Sequence, residues 1–343
     1  MEPSSESTDI PLLLVYNLDR QHWDQFEIDC TLDRIERLTT GLKTSGYPLT
    51  ILPVYTPDLA QLLSPFSPQK YLVFNLCEEL PGIPRSSGLA AEIIESMGFA
   101  HTGASARILS FSQDKIKVKY LLEQHGIATP IWQVYNDLSK DGWMHYPAIV
   151  KPSCEHCSVG IEPQAVVSDH QELSNRIEHV LRTFKQPALV EDFISGREFR
   201  VSVIGNGDEA RILPPGEMDY SQQLNINERL LSYDSKMNPD SRYFHEIKPI
   251  LNPSLTNEER LQIEDMALKV FHALECRDYA GFDFRLRDGI FYVIDANPDP
   301  EFSPESSLVL GAELIGLSYI RLASYIINQA ARRHPFIGPR LAH

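Results

Sequence analysis

The stretch GFDFRLRDGIFYVIDANPDP, residues 281–300, holds two short runs rich in apolar residues on either side of Asp288-Gly289. Asp-Gly between such runs is a strong hairpin signal, because the tight turn needs positive φ at both central positions. Strands are therefore expected at 282–286 and 291–296. Side chains alternate faces along a strand, so Asp295 and Asn297 point the same way. Asp283, on the opposite strand, can join them across the ladder. Two carboxylates and an amide oxygen on one face form a hard oxygen-donor set. Such a set suits magnesium, which keeps few protein ligands and completes its shell with phosphates and water. Phe282, Phe284, Val293 and Ile294 flank the trio, which argues against a merely solvated hairpin face.

Working outward from this hairpin, residues 255–274 read as a helix, with Thr256 and Glu259 spaced as a capping box. Residues 197–205 and 209–213 read as paired strands about Asn206-Gly207. Residues 222–252 are polar and irregular and read as a long functional loop region. Further upstream, strands are expected at 131–134, 148–151 and 188–193, with helices at 114–125 and 169–184. The first third alternates strands (10–16, 49–55, 71–76) with helices (27–43, 88–97), the pattern of a doubly wound parallel sheet. A last amphipathic helix is expected at 317–332. No internal repeat or low-complexity linker interrupts the chain.

Two further segments carry chemistry. Lys151 ends the strand 148–151 and is followed by a polar loop reaching Gly160, so ammonium charge and loop amides can grip a phosphate together. Cys154-x-x-Cys157 lies in that loop, but without a second such pair it argues only weakly for zinc or redox chemistry. The strand ending at Glu191-Asp192-Phe193-Ile194 leads into a polar turn that can offer backbone groups to a purine, and Glu198 can accept from a ribose.

Taken in order, Asp114-Lys115, Ile149-Val150-Lys151-Pro152, Glu191 to Phe199, Lys236, Asp283 and Asp295-Ala296-Asn297 resemble the ATP-grasp superfamily, and within it the D-alanine–D-alanine ligase branch. Phe99 to Ser105 and Gly316-Leu317-Ser318-Tyr319 resemble that branch too, so the similarity runs from about residue 70 to the end. The resemblance implies an α/β chain, α+β in its C-terminal part. It would have an N-terminal pre-ATP-grasp domain over residues 1–110 and ATP-grasp subdomains over 111–193 and 194–335. It implies that Lys115 and Lys151 bind the α- and β-phosphates of ATP. Glu191, with backbone groups of Asp192 and Ile194, would take adenine, and Glu198 the ribose. Lys236 would reach the γ-phosphate. Asp283, Asp295 and Asn297 would hold two magnesium ions, with manganese an alternative. Ser306 and Ser307 match positions that hold an acceptor carboxylate. The implied reaction is ATP-dependent joining of a carboxylate to an amine through an acyl-phosphate.

Three positions depart from the branch. Its ligases carry an arginine two residues before the first metal aspartate, where this chain has Gly281. Arg285 lies two residues after Asp283 on the same strand face, and it is expected to take over the anion-stabilising role. The branch links an N-terminal glutamate, a loop serine and a tyrosine around its first substrate. Here Glu27 is a loose match, and Cys157 and Met237 stand at the other two positions. His156 replaces a usual glycine, which reshapes the loop while leaving Ser158 and nearby amides to bind phosphate. These changes favour an amino acid or related metabolite other than D-alanine. D-alanine ligation proper, a thiol or hydroxyl acceptor, and a silent nucleotide-binding protein are the alternatives. The last would be marked by lost lysines or metal ligands, and Lys115, Lys151, Lys236 and the metal trio are all present.

Bulk properties agree with a small-molecule enzyme. The chain has 343 residues, 43% hydrophobic and 23% charged, enough for two or three domains. Lys and Arg number 31 against 47 Asp and Glu, a net charge of -16. That surface disfavours nucleic acid and anionic membrane as partners. Small-molecule substrates are expected, with a homodimer as the only protein partner entertained. Five scattered cysteines fit a reducing cytoplasm. Residues 1–9 lack the basic and apolar regions of a signal peptide, so none is expected.

Overall fold

The computed structural model describes residues 8–139 and 142–341. Most of the polar segment 1–9 examined for a signal peptide lies outside them. Three sheets follow one another along the chain. The first is parallel, in the order β2-β1-β3, with β1 Leu12–Asn17, β2 Leu49–Val54 and β3 Leu72–Leu76. Every residue of β1 is buried, as a central parallel strand covered on both faces requires. The second sheet is antiparallel, in the order β4-β7-β5-β6: β4 Trp132–Tyr135, β5 Ala148–Pro152, β6 Val166–Val167 and β7 Ala188–Asp192. The third is antiparallel, in the order β11-β10-β8-β12-β13. Its strands are β8 Arg197–Gly205, β9 Arg211–Ile212 (paired to β8), β10 Gly216–Asp219, β11 Lys248–Leu251, β12 Asp278–Arg287 and β13 Ile290–Asn297.

Each sheet is backed by a helix whose apolar face completes a core. Helix Tyr319–Arg332 packs with β1 and β3, helix His170–Phe184 with the second sheet, and helix Asn257–Ala273 with the third. Thr256 and Glu259 close the predicted capping box, with Glu259 N donating to Thr256 Oγ1 at 3.1 Å and Thr256 N to Glu259 Oε2 at 2.8 Å. Phe282, Phe284 and Phe291 are fully buried beneath the third sheet. Each contributes roughly 2–3 kcal/mol of apolar burial, and together they fix which face of β12 and β13 is left for chemistry. Among the described residues no helix is long and apolar enough to cross a membrane.

The structure adds detail where the pattern was silent. The region 222–252 is partly ordered, with short helices Tyr233–Met237 and Arg242–Glu246 and strand β11. All four residues of β11 are exposed, so no buried alternation marks it in the sequence. The expected Asn206-Gly207 turn is instead a 3-10 turn, Gly207–Glu209, before a two-residue β9. The Asn206 side chain is drawn away to Asp278, donating to its Oδ1 and accepting from its backbone N–H, both at 2.9 Å. Helices Ala106–Ser112 and Ser307–Glu313 and strand β10 were not anticipated.

Candidate active site

The site begins with the hairpin. Arg287 pairs with Ile290 across a two-residue turn, and Asp288 and Gly289 have φ of 53° and 76°, as the Asp-Gly signal requires. Asp283 stands opposite Asp295, and Gly281 opposite Asn297. Between Asp283 and Phe284 the register jumps from Asp295 to Val293, so Ile294 is an extra residue in β13. This bulge matters because a one-residue slip exchanges the two faces of a strand. Val293 and Phe291 point into the core below the bulge, and Ala296 does so above it. Asp295 and Asn297 are thereby turned to the opposite face, beside Asp283.

Cations converge on these carboxylates. Lys115 opens helix Lys115–Gln124, capped by Asp114, and its Nζ lies 2.7 Å from Asp295 Oδ1. Burial would raise the Asp295 carboxyl, but Lys115, with His156 and Lys151, holds it well below the usual carboxylate range. Arg200, on β8, stands in register with Asp283 and donates from Nε to its Oδ1 at 3.2 Å. Burial outweighs this partner and raises the Asp283 carboxyl. Lys236 lies in helix Tyr233–Met237, where burial, with the Arg200 charge, lowers its ammonium pKa. Asn297 Oδ1 accepts from Asp299 N at 2.9 Å.

A second cluster lies behind the first. Glu191 on β7 is fully buried, with Lys151 Nζ 2.6 Å from Oε2 and Lys119 Nζ against Oε1. Burial alone would raise this carboxyl, but the two lysines bring it down to about 2. A cavity between helix Lys115–Gln124 and β13 is lined by Lys115, Lys119, Glu191, Asp295 and Ala296. Asp192, next to Glu191 in the chain, accepts a fork from Arg287, at 3.2 and 2.5 Å.

The loop after Lys151 and the segment carrying Lys236 are pinned together. Ser158 Oγ donates to Leu231 O at 2.8 Å, and Tyr233 N to Ile161 O at 3.1 Å. Cys157 and Ser158 both hold positive φ, 52° and 62°, a costly conformation for residues with a Cβ. Cys157 feels the charge of Lys236.

Several expected residues sit otherwise than anticipated. Arg285 shares a strand face with Asp283, but its donors are spent inside the protein. Nε and Nη2 reach Glu198 Oε2 at 2.9 and 2.6 Å, Nη1 reaches Ile194 O at 2.8 Å, and Nη2 also meets Arg229 O. With these contacts made, and buried over the Phe193 ring, it is shut away from a reacting anion. The same contacts occupy Glu198 Oε2, which Tyr220 also meets at 3.0 Å, and the carbonyl of Ile194. Glu27 closes the cap of helix Gln25–Thr44, accepting from Asp24 N at 2.9 Å. Ser306 caps Ser307–Glu313, its Oγ accepting from Val309 N at 3.3 Å. Sequence reasoning missed Lys119 and Arg200. Lys119 lies four residues after Lys115, on the same helix face, and Arg200 two residues after Glu198, on the same strand face.

Among the described residues no three His, Cys, Asp or Glu side chains form a metal cluster. The candidate set is two carboxylates and an amide oxygen, a donor chemistry that fits magnesium and not a softer metal.

Comparison with known proteins gives a consistent picture. The family described as D-ala D-ala ligase C-terminus matches residues 122–328. The uncharacterized protein y4sG of Sinorhizobium fredii is 30% identical over 77% of this chain and 75% of its own length. The D-alanine–D-alanine ligase of Syntrophotalea carbinolica is 28% identical over 90% of this chain and 93% of its own. A crystal structure of D-alanine–D-alanine ligase from Bacillus anthracis complexed with ATP superposes with a TM-score of 0.72 at 20% identity, covering 94% of this chain and 98% of that one.

Proposed function

The chain belongs to the D-ala D-ala ligase C-terminus family and is an ATP-dependent ligase of carbon–nitrogen bonds, and from that premise we propose that it joins an amino acid or amino-acid-like carboxylate to an amine other than D-alanine. The observation that carries the site assignment is the facing pair Asp283 and Asp295 with Lys115 on one carboxylate and Arg200 on the other. In this reading Lys115 and Lys151 hold the α- and β-phosphates, and Lys236 reaches the γ-phosphate. Glu191, Asp192 and the Ile194 N–H line the adenine, and Glu198 meets the ribose through Oε1, since Oε2 is held by Arg285 and Tyr220. Asp283, Asp295 and Asn297 are the residues that would hold two magnesium ions, or manganese in their place. Bound there, the metal would neutralise phosphate charge as the γ-phosphoryl moves.

The protein's own residues prepare for that exchange. Two of the phosphate-binding lysines rest on carboxylates: Lys115 on Asp295 and Lys151 on Glu191. At these two lysines nucleotide and metal therefore replace internal ion pairs, which keeps the desolvation cost there small. Catalysis then rests on positioning and charge neutralisation, and no nucleophilic side chain is needed. Ser158 pins the loop over the reacting phosphate, and Cys157, Ser306 and Ser307 face the amino-acid side. The reaction is assigned to the cytoplasm, where ATP is supplied.

D-alanine ligation proper is the second reading, favoured by the names of relatives such as those of Bordetella petrii and Syntrophotalea carbinolica. Against it stands Gly281, the position of the branch's arginine, where even a Cβ would make a tight 3.2 Å contact with Pro300 Cβ. A phosphate-release screen with ATP, magnesium and pairs of D- and L-amino acids decides between them. Turnover with a pair other than D-alanine supports the proposal, and turnover with D-alanine alone overturns it.

A further inference from the structure

We propose that Arg200 is a catalytic residue of this ligase, its guanidinium holding the anionic oxygens at the point where the γ-phosphoryl group passes to the substrate carboxylate. The proposal rests on the ligase reading above and deepens it. Arg200 lies between Glu198 and Ser202 on β8, in register with Asp283, so it shares the face that carries the carboxylates. Only Nε makes a hydrogen bond to a described residue, the 3.2 Å contact with Asp283. Nη1 and Nη2 together carry four N–H donors that no described residue accepts. The side chain keeps 30% of its surface open, so those donors are reachable.

The other candidates for this task are removed by geometry. Arg285 is consumed by Glu198, Ile194 and Arg229. Position 281 is a glycine crowded by Pro300, where a Cβ would already lie 3.2 Å from Pro300 Cβ, and it supplies no side-chain donor. Arg200 enters from the neighbouring strand instead and reaches the same carboxylate. Its charge also bears on Lys236, and the Asp283 carboxylate acts on both cations. A partly exposed guanidinium with free planar donors, under the influence of a second cation, forms a site for a phosphoryl or acyl-phosphate anion.

The step balances without any other reagent. A substrate carboxylate oxygen attacks Pγ, the bond from Pγ to the β,γ-bridging oxygen breaks, and ADP leaves with its electron pair. The amine then attacks the acyl carbon, the C–O bond to phosphate breaks, inorganic phosphate leaves with that pair, and the amine proton is lost to water.

The opposing account makes Arg200 a mere counter-ion that steadies Asp283. Calorimetric binding of magnesium-ADP and of magnesium β,γ-imido-ATP to the wild-type protein, R200A and R200K separates the two, with thermal melts to check folding. If Arg200 holds the transferring group, R200A binds ADP within about twofold of wild type but loses at least tenfold for the imido nucleotide. Its kcat with an active substrate pair then falls about 10²–10³-fold, R200K recovers part of both, and the magnesium requirement stays unchanged. If R200A binds both nucleotides equally well and needs less magnesium for full turnover, Arg200 is the counter-ion and the proposal fails. Should R200A not fold, R200K and R200Q carry the same comparison. A wild-type protein that binds neither nucleotide overturns the ligase reading first, and this proposal with it.

Discussion

Glu191 illustrates how much of the site is decided by single side chains. Its carboxylate is buried between Lys119 and Lys151, and these hold its pKa at about 2 against an unfolded value of 4.5. Between those values the unfolded chain binds more protons than the folded one. Folding stability therefore rises with pH there, is fully present above 4.5, and is lost as pH falls toward 2. E191Q leaves two lysines uncompensated and should cost about 3–5 kcal/mol at neutral pH, while its stability falls less steeply than wild type below pH 4.5. Chemical denaturation across that range checks both effects, and parallel acid limbs would contradict the assignment. At this scale the sequence was legible in part. Alternation and apolar neighbours revealed Asp283, Asp295 and Asn297. The Ile294 bulge was not readable, although without it Asp295 would share a face with Val293. Arg200 and Arg285 are each two residues from a site carboxylate, and only the structure shows which one Glu198 has claimed.

At the scale of elements, the close approach of β8 to β12 sets the shape of the adenine side. A Cβ at Gly196 would lie 1.5 Å from Leu286 O, so that turn fits only without a side chain. G196A should therefore force backbone movement, lowering stability by about 2–3 kcal/mol and weakening ATP binding, since Ile194 and Glu198 flank the turn. Thermal melts and nucleotide titration read both, and an unchanged protein would show that the strands separate without cost. Elements with strong local signals were foreseen: the Asp288-Gly289 hairpin, the Thr256–Glu259 cap and the buried run of β1. Those set by tertiary contact were not. Asn206 belongs to Asp278 and not to a hairpin turn, β11 is an exposed edge strand with no periodicity, and Glu27 serves a helix cap.

Across the whole molecule, Asp278 ties together distant parts of the chain. Fully buried, it accepts from Gly103 N at 2.9 Å, from Asn206 Nδ2 at 2.9 Å and from both terminal nitrogens of Arg333. It thus links the segment after β3, the end of β8, the start of β12 and the C-terminal helix. D278A strands these donors and should cost about 3–5 kcal/mol, enough to lower expression while leaving the site residues in place. A melting temperature within a degree or two of wild type would contradict that role. The fold class was legible at this scale because alternating strands and helices gave way to antiparallel hairpins, each with its own apolar backing. The identity of the amino-acid substrates was not, because the residues on that side depart from the branch that the rest of the chain resembles.

The central claim is that ATP drives ligation through an acyl-phosphate on the face of Asp283 and Asp295. Its most direct test is isotopic: the protein is incubated with ATP, magnesium and a mixture of D- and L-amino acids carrying ¹⁸O in their carboxyl groups, and the released phosphate is analysed by mass spectrometry. The account predicts ADP and phosphate in equal amounts, one ¹⁸O in each phosphate, and an amide product of matching yield. Phosphate carrying no ¹⁸O, or AMP and pyrophosphate in place of ADP and phosphate, would contradict it.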